Sequence, residues 1–124
     1  MMHINVLTQK VIGLAIEVHK ILGPGLLESS YEACLMHELI GHEINAKQQH
    51  LLPINYKGNK IDGGYRIDIL IPNCLIIELK ATDKVLPIHI AQTLTYMKLS
   101  NVQTGLIINF NTTILTKGLK RLRL

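Results

Sequence analysis

The stretch RIDILIPNCLIIELKA, residues 66–81, decides how this chain is read. Two apolar runs flank Pro72 and Asn73, a turn signal. In the first run Tyr65, Ile67, Ile69 and Ile71 alternate with Arg66, Asp68 and Leu70, the period of a strand. The second run, Cys74 to Ala81, reads as a buried strand carrying two charges, Glu78 and Lys80. Burying either charge is costly unless a partner offsets it. If the turn is an odd-numbered loop centred on Asn73, reflection sets Asp68 opposite Glu78, with Cβ atoms roughly 5 Å apart. Lys80 then shares the face of Glu78, since strand side chains alternate. A two-residue loop would instead pair Asp68 with Ile77.

Two carboxylates that close repel each other, so one takes up a proton or a cation sits between them. Mg²⁺ suits such a place, because it takes hard oxygen ligands from one or two carboxylates and keeps several waters. Lys80 beside it could orient a water, help deprotonate it, or offset charge on a phosphate. The plainer alternative is an internal salt bridge from Lys80 to Asp68 or Glu78. A D…ExK pattern is short, and spacing alone leaves both open.

Working outward, Ile4, Leu7, Val11, Leu14, Ala15, Val18 and Leu22 recur at helical spacing and predict a helix over about 4–22. Gly23-Pro24-Gly25 ends it. Leu27, Tyr31, Cys34, Leu35, Glu38 and Leu39 predict a second helix from about Leu27 to His42. Residues 46–56 read as extended, with Pro53 arguing for an edge or a bulge, and Lys57–Asn59 as a turn. Asp83 can cap a third helix running to about Leu99, with Pro87 in its first turn. Thr104–Phe110 is a short apolar strand of a sheet covered on both faces. A final strand from about Ile114 gives a weak signal. The order is α-α-β-β-β-α-β, an α/β sheet with helices packed on it.

The 124 residues suit one domain over 1–124, and 48% hydrophobic residues mark a globular chain. With one Phe, four Tyr and no Trp, the core must be mostly Leu, Ile and Val. Cys34 and Cys74 form no ligand-spaced cluster and are expected as reduced, buried thiols of a cytoplasmic protein. No leader pattern and no membrane span is expected. The net charge is +4, and Lys117, Lys120, Arg121 and Arg123 crowd the tail. That cluster could contact phosphates or be a solvated terminus. No HExxH, phosphate loop or nucleophile elbow occurs.

With those residues in view, RIDILIPNCLIIELK resembles the core motif of the PD-(D/E)XK nuclease superfamily, with Asp68, Glu78 and Lys80 at the motif positions. Ile67 stands where the name has proline. GLLESSY, Gly25 to Tyr31, matches the G-x-x-E-x-x-Y pattern of the GxxExxY proteins within that superfamily, and the likeness runs in order along nearly the whole chain. The resemblance implies a restriction-endonuclease-like αβββαβ core, a mixed central sheet flanked by helices, with an extra N-terminal helix. It implies metal ligation by Asp68, Glu78, the Leu79 carbonyl and Glu28, with Lys80 as the catalytic lysine. Gln92 and Tyr96 resemble the Q-x-x-x-Y motif of RecB-like nucleases, close to the active site and the substrate backbone. Being four apart, they share one helix face.

The expected function is a nuclease dependent on Mg²⁺ or Mn²⁺, acting on DNA ahead of RNA. Asp68, Glu78, Lys80, Glu28 and Gln92 would do the chemistry. Tyr96, Tyr31, Lys84, Lys98 and the tail would hold substrate, although Tyr31 also reads as a packing residue with its hydroxyl bonded. A homodimer or a partner protein is left open. The rival reading is a catalytically silent nucleic-acid-binding or protein-interaction module on the same fold.

Overall fold

The structure, a computed structural model, describes residues 2–124. Helix α1, Ile4–Leu22, buries Leu7, Val11, Ala15 and Val18 along one stripe. The His3 ring accepts the Asn5 N–H at its start, and Gly23, with φ 72°, ends it. Helix α2, Glu28–Gly41, buries Tyr31, Leu35 and Leu39 against the same core. The strands are β1 (Lys47–Leu51), β2 (Ile54–Tyr56), β3 (Asn59–Ile61), β4 (Arg66–Ile71) and β5 (Leu75–Lys80), followed by helix α3 (Pro87–Ser100), β6 (Thr104–Asn109) and β7 (Leu119–Arg123).

Five strands make one mixed sheet in the order β1-β4-β5-β6-β7. Only β5 and β6 run parallel, because α3 carries the chain back between them. The run α2-β1-β4-β5-α3-β6 is the expected αβββαβ core, with α1 as the extra helix. One face of the sheet packs on α1 and α2 through Ile69, Ile71, Ile77, Leu79, Leu106 and Ile108. The other packs on α3 through Leu70, Ile76, Tyr96 and Met97. Gly105 lets α3 come close, since a Cβ there would stand 2.7 Å from the Met97 sulfur.

Four expectations are corrected. The Lys57-Gly58 turn does not join β1 to β4. It closes a separate hairpin, β2–β3, while β1 pairs with β4 directly. Pro53 and Leu52 break the extended run, as a residue without an N–H must. Asp83 does not cap α3, which starts four residues later at Pro87. The Leu86 N–H is instead accepted by the His89 ring at 3.0 Å. The final strand begins at Leu119 after a 3₁₀ turn, Leu115–Gly118, and pairs antiparallel with β6. The two cysteines are free but half-buried.

A fifth correction bears on function. Strict alternation groups Ile67 with Ile69 and Ile71. The structure instead packs Ile67 with Leu70 beneath α3. The phase of β4 therefore breaks at Asp68. Across from it, β1 breaks at Gln49, whose φ of 50° lies in the left-handed region. Pairing is in step on either side, Gln48 with Ile69 and His50 with Ile67, so no residue is inserted.

Candidate active site

The β4–β5 hairpin pairs Ile71 with Leu75, Leu70 with Ile76 and Ile69 with Ile77. The loop is thus three residues centred on Asn73, which takes a left-handed φ of 64°, and the next pair in register is Asp68 and Glu78. There side chains take over from the ladder. The Asp68 N–H donates to Glu78 Oε2 at 3.0 Å, and the Leu79 N–H donates to Asp68 Oδ2 at 2.8 Å. Each carboxylate is anchored on the other's strand.

Glu78 is 5% exposed. Burial, the Asp68 carboxylate and a hydrogen bond to Asp68 together push its pKa up to about 9, and Lys80 only partly offsets them. Without a cation, Glu78 therefore holds its proton at neutral pH. Lys80 is half-buried at the end of β5. Among the described residues the ion pairs consist of His42–Glu38 alone, so the expected alternative of a Lys80 salt bridge is not realised. Lys80 bears on Glu78 through space rather than through a direct pair.

Glu28 opens α2, where the helix dipole favours a carboxylate, and its Oε2 accepts the Ala81 N–H at 3.3 Å, just past Lys80. What holds it there explains the spacing of Gly25, Glu28 and Tyr31. Gly25 has φ 101°, which favours glycine. Tyr31 is fully buried, stacks on Phe110 with centroids 4.4 Å apart, donates its hydroxyl to the Gly23 carbonyl and accepts the Leu26 N–H. Tyr31 thus fixes the loop that delivers Glu28, and its burial excludes the substrate contact expected of it.

One further acid was passed over as a site residue. Glu32, one turn beyond Glu28, is buried. Its two oxygens accept the side-chain amides of Gln48 at 2.6 Å and Gln49 at 2.7 Å, and the Gln49 amide also reaches Asp68 Oδ1 at 3.3 Å. Burial raises the Glu32 pKa, the two amides lower it, and Asp68 and Glu28 add to the rise. Helical spacing put Glu32 on the face of Glu28. Nothing in the pattern of β1 signalled that Gln49 would turn left-handed to bridge Glu32 and Asp68. Asn109 was also missed. Buried at the end of β6, it accepts the Thr82 N–H and donates to the Thr82 carbonyl, fixing the chain after Lys80.

On α3, Tyr96 is buried in the cluster that holds Ile67 and Ile76, and its hydroxyl pKa is raised first by burial and then by Glu78, Tyr65 and Asp68. Gln92 is exposed one turn earlier on the same face. Lys84 is exposed in the loop after β5. The structure does not bring Lys98 or Arg123 to this place, and it leaves Lys120 level with Glu78 but two strands away. Lys98 sits in the last turn of α3, and Arg123 pairs with Thr104, at the end of the sheet where β5 begins rather than where Lys80 stands. Arg121 donates to Asn5 of α1.

The donor set is oxygen-rich and short of positive charge, which fits a hard divalent cation. Asp68 and Glu78 are the pair that meets. Among the described residues no three His, Cys, Asp or Glu side chains converge on one point. Mg²⁺ tolerates that, since it commonly uses one or two carboxylates with water and phosphate oxygens.

A mixed sheet between helices, with an acidic pair and a lysine at the exit of its second core hairpin strand, defines a restriction-endonuclease-like fold. The family model described as the PD-(D/E)XK nuclease superfamily matches residues 5–122, and the chain belongs to that superfamily. No curated protein and no solved structure matches it.

Proposed function

We propose that the protein is a metal-dependent nuclease that hydrolyses phosphodiester bonds, with DNA as its substrate ahead of RNA. The observation that carries this reading is the buried Asp68–Glu78 pair, locked by reciprocal backbone bonds and left without a cationic partner in contact. A purely structural role would not call for a buried acid that must stay protonated at neutral pH beside a second carboxylate. A cation there would replace the Glu78 proton.

Asp68 and Glu78 would hold Mg²⁺ or Mn²⁺, with Glu28 and the Leu79 carbonyl at the margin. When bound, such an ion neutralises phosphate charge and lowers the pKa of a coordinated water. Lys80 then places its ammonium beside the attacked phosphate, orienting the water and offsetting the charge that develops in the transition state. Glu32 and Gln49 keep Asp68 in place, and Gln92 and Tyr96 border the approach. The Gly25, Glu28 and Tyr31 spacing supports a place among the GxxExxY proteins, and the two free cysteines support a reducing cytoplasm. Phosphate contacts by basic residues imply binding that weakens steeply with salt.

The test is cleavage of plasmid, single-stranded DNA and RNA in Mg²⁺ and in Mn²⁺, beside Glu78→Ala and Lys80→Ala. Metal-dependent cutting that both variants lose by a factor of about 10² or more supports the assignment. No cutting under any condition, or cutting that both variants retain at the wild-type level, contradicts it.

A further inference from the structure

Beside the carboxylates, α3 and the segment entering β4 enclose a groove of about 360 Å³. This is the lower end of the roughly 300–1,000 Å³ typical of small-ligand sites. Ile54, Ile88 and Leu99 give it aliphatic walls, and Tyr65, Tyr96 and Gln92 give it two rings and an amide. The rings of Tyr65 and Tyr96 meet edge to face, with centroids 6.2 Å apart and planes at 63°, so they do not stack on each other. Tyr96 is buried, whereas Tyr65 is 44% exposed. The Tyr65 ring has a built seat. A Cβ at Gly63 would fall 2.7 Å from Tyr65 Cε2, so only a residue without a side chain lets the ring lie against the backbone there. The Asp62 side chain caps that seat by accepting the Gly64 N–H, and Gly64 turns with φ 76°.

The groove is linked to the proposed hydrolytic site through Tyr96 and Tyr65, although the carboxylates do not line it. Tyr96 packs with Ile76, two residues before Glu78 on the same strand, and Tyr65 stands three residues before Asp68. An aromatic platform, an apolar wall and one amide with a donor and an acceptor match a nucleobase, which has a π-face and a polar edge. We propose that this groove takes one base of the substrate, stacked on Tyr65, so that the enzyme acts where a nucleotide beside the scissile bond is unpaired. The proposal rests on the nuclease reading and adds its substrate class. A base inside a duplex cannot reach such a groove without leaving its stack, so single strands, frayed ends and flaps are favoured over intact duplex.

The test uses the full chain in EDTA and fluorescence anisotropy with three labelled probes of equal length: single-stranded DNA, the same strand with abasic sites, and duplex. The wild type is expected to bind the base-bearing single strand roughly 5- to 150-fold more tightly than the abasic strand, the range of one stacked base. Tyr65→Ala removes that difference, Tyr65→Phe keeps it, and Gly63→Ala, which displaces the ring, shrinks it. Equal binding of abasic and base-bearing strands by the wild type overturns the proposal, as does a Tyr65→Ala variant that weakens both alike. Self-association of the wild type that Tyr65→Ala abolishes would assign the groove to a second copy and overturn it as well. Cleavage of the same probes in Mg²⁺ separates the two claims. Cutting without base preference removes the groove proposal and leaves the nuclease, while base-dependent binding without any cutting removes the nuclease.

Discussion

Glu78 and Tyr31 show opposite ways for a buried polar side chain to be retained. Tyr31 has both a donor and an acceptor partner, at Gly23 and Leu26. Tyr31→Phe leaves those two groups unpartnered and is expected to cost about 1–3 kcal/mol. Chemical denaturation checks this, and an unchanged midpoint would show the hydroxyl to be idle. Glu78 is held by one backbone N–H and repelled by its neighbour. Its pKa is about 9 in the fold against 4.5 in the unfolded chain, so between those values the folded state holds a proton that the unfolded state releases. That contribution to stability is complete below 4.5 and is lost as pH rises through about 9. Melting in EDTA should therefore fall with rising pH across this window, and Glu78→Gln, which cannot ionise, should flatten the trend. An unaltered slope in the variant would place the titrating group elsewhere.

At the scale of elements, the decisive event is the paired break of β1 and β4. A left-handed non-glycine residue costs about 1–2 kcal/mol. Gln49 adopts that conformation while its amide links Glu32 to Asp68. Gln49→Gly should consequently be more stable than Gln49→Ala by about 1 kcal/mol, the reverse of the usual order in a strand, and both should cut less well because Asp68 keeps the Leu79 N–H but loses the Gln49 amide. Thermal melting of the two variants checks the order. The β6–β7 turn offers a second contrast. A Cβ at Gly118 would stand 2.2 Å from the Asn109 carbonyl oxygen, whereas at Gly105 it meets a flexible Met97 sulfur. Overpacking then predicts about 3 kcal/mol lost in Gly118→Ala against about 1 kcal/mol in Gly105→Ala, read from denaturant midpoints.

These elements also show what a sequence carries. The Asp68–Glu78 register was legible as one of two options, because the turn at Pro72 and Asn73 admits a two- or a three-residue loop, and the fold takes the three-residue one. The first two helices were legible from their 3.6-residue period to within a residue or two, whereas the start of α3 was placed too early, at Asp83. The separate β2–β3 hairpin was not, because three-residue strands have too little periodicity to set their pairing. Nor was the break at Gln49, whose backbone angle is imposed by partners distant in sequence. Asp83 looked like a cap by residue type alone, yet the ring of His89 met that need from inside the helix.

Over the whole molecule, charge and chemistry are separated. The tail cations line β7, where charged side chains keep an exposed edge from pairing with another chain. The acids gather two strands away, where β5 runs out toward α3, level with Lys120 and far from Arg123. Among the described residues, no helix is long and apolar enough to cross a membrane. Because a cation and a proton compete for Glu78, Mg²⁺ should raise the melting temperature more at alkaline than at acid pH. The central claim is that Asp68 and Glu78 form a cation-dependent hydrolytic centre. Its most direct test is the single-turnover cleavage rate of single-stranded DNA against Mn²⁺ concentration, for the wild type and for Asp68→Asn with its fold verified by circular dichroism. The account predicts a rate that saturates with Mn²⁺ in the wild type and stays at background in Asp68→Asn at every concentration. A wild-type rate that does not depend on Mn²⁺, or an Asp68→Asn rate that matches the wild type, would contradict it.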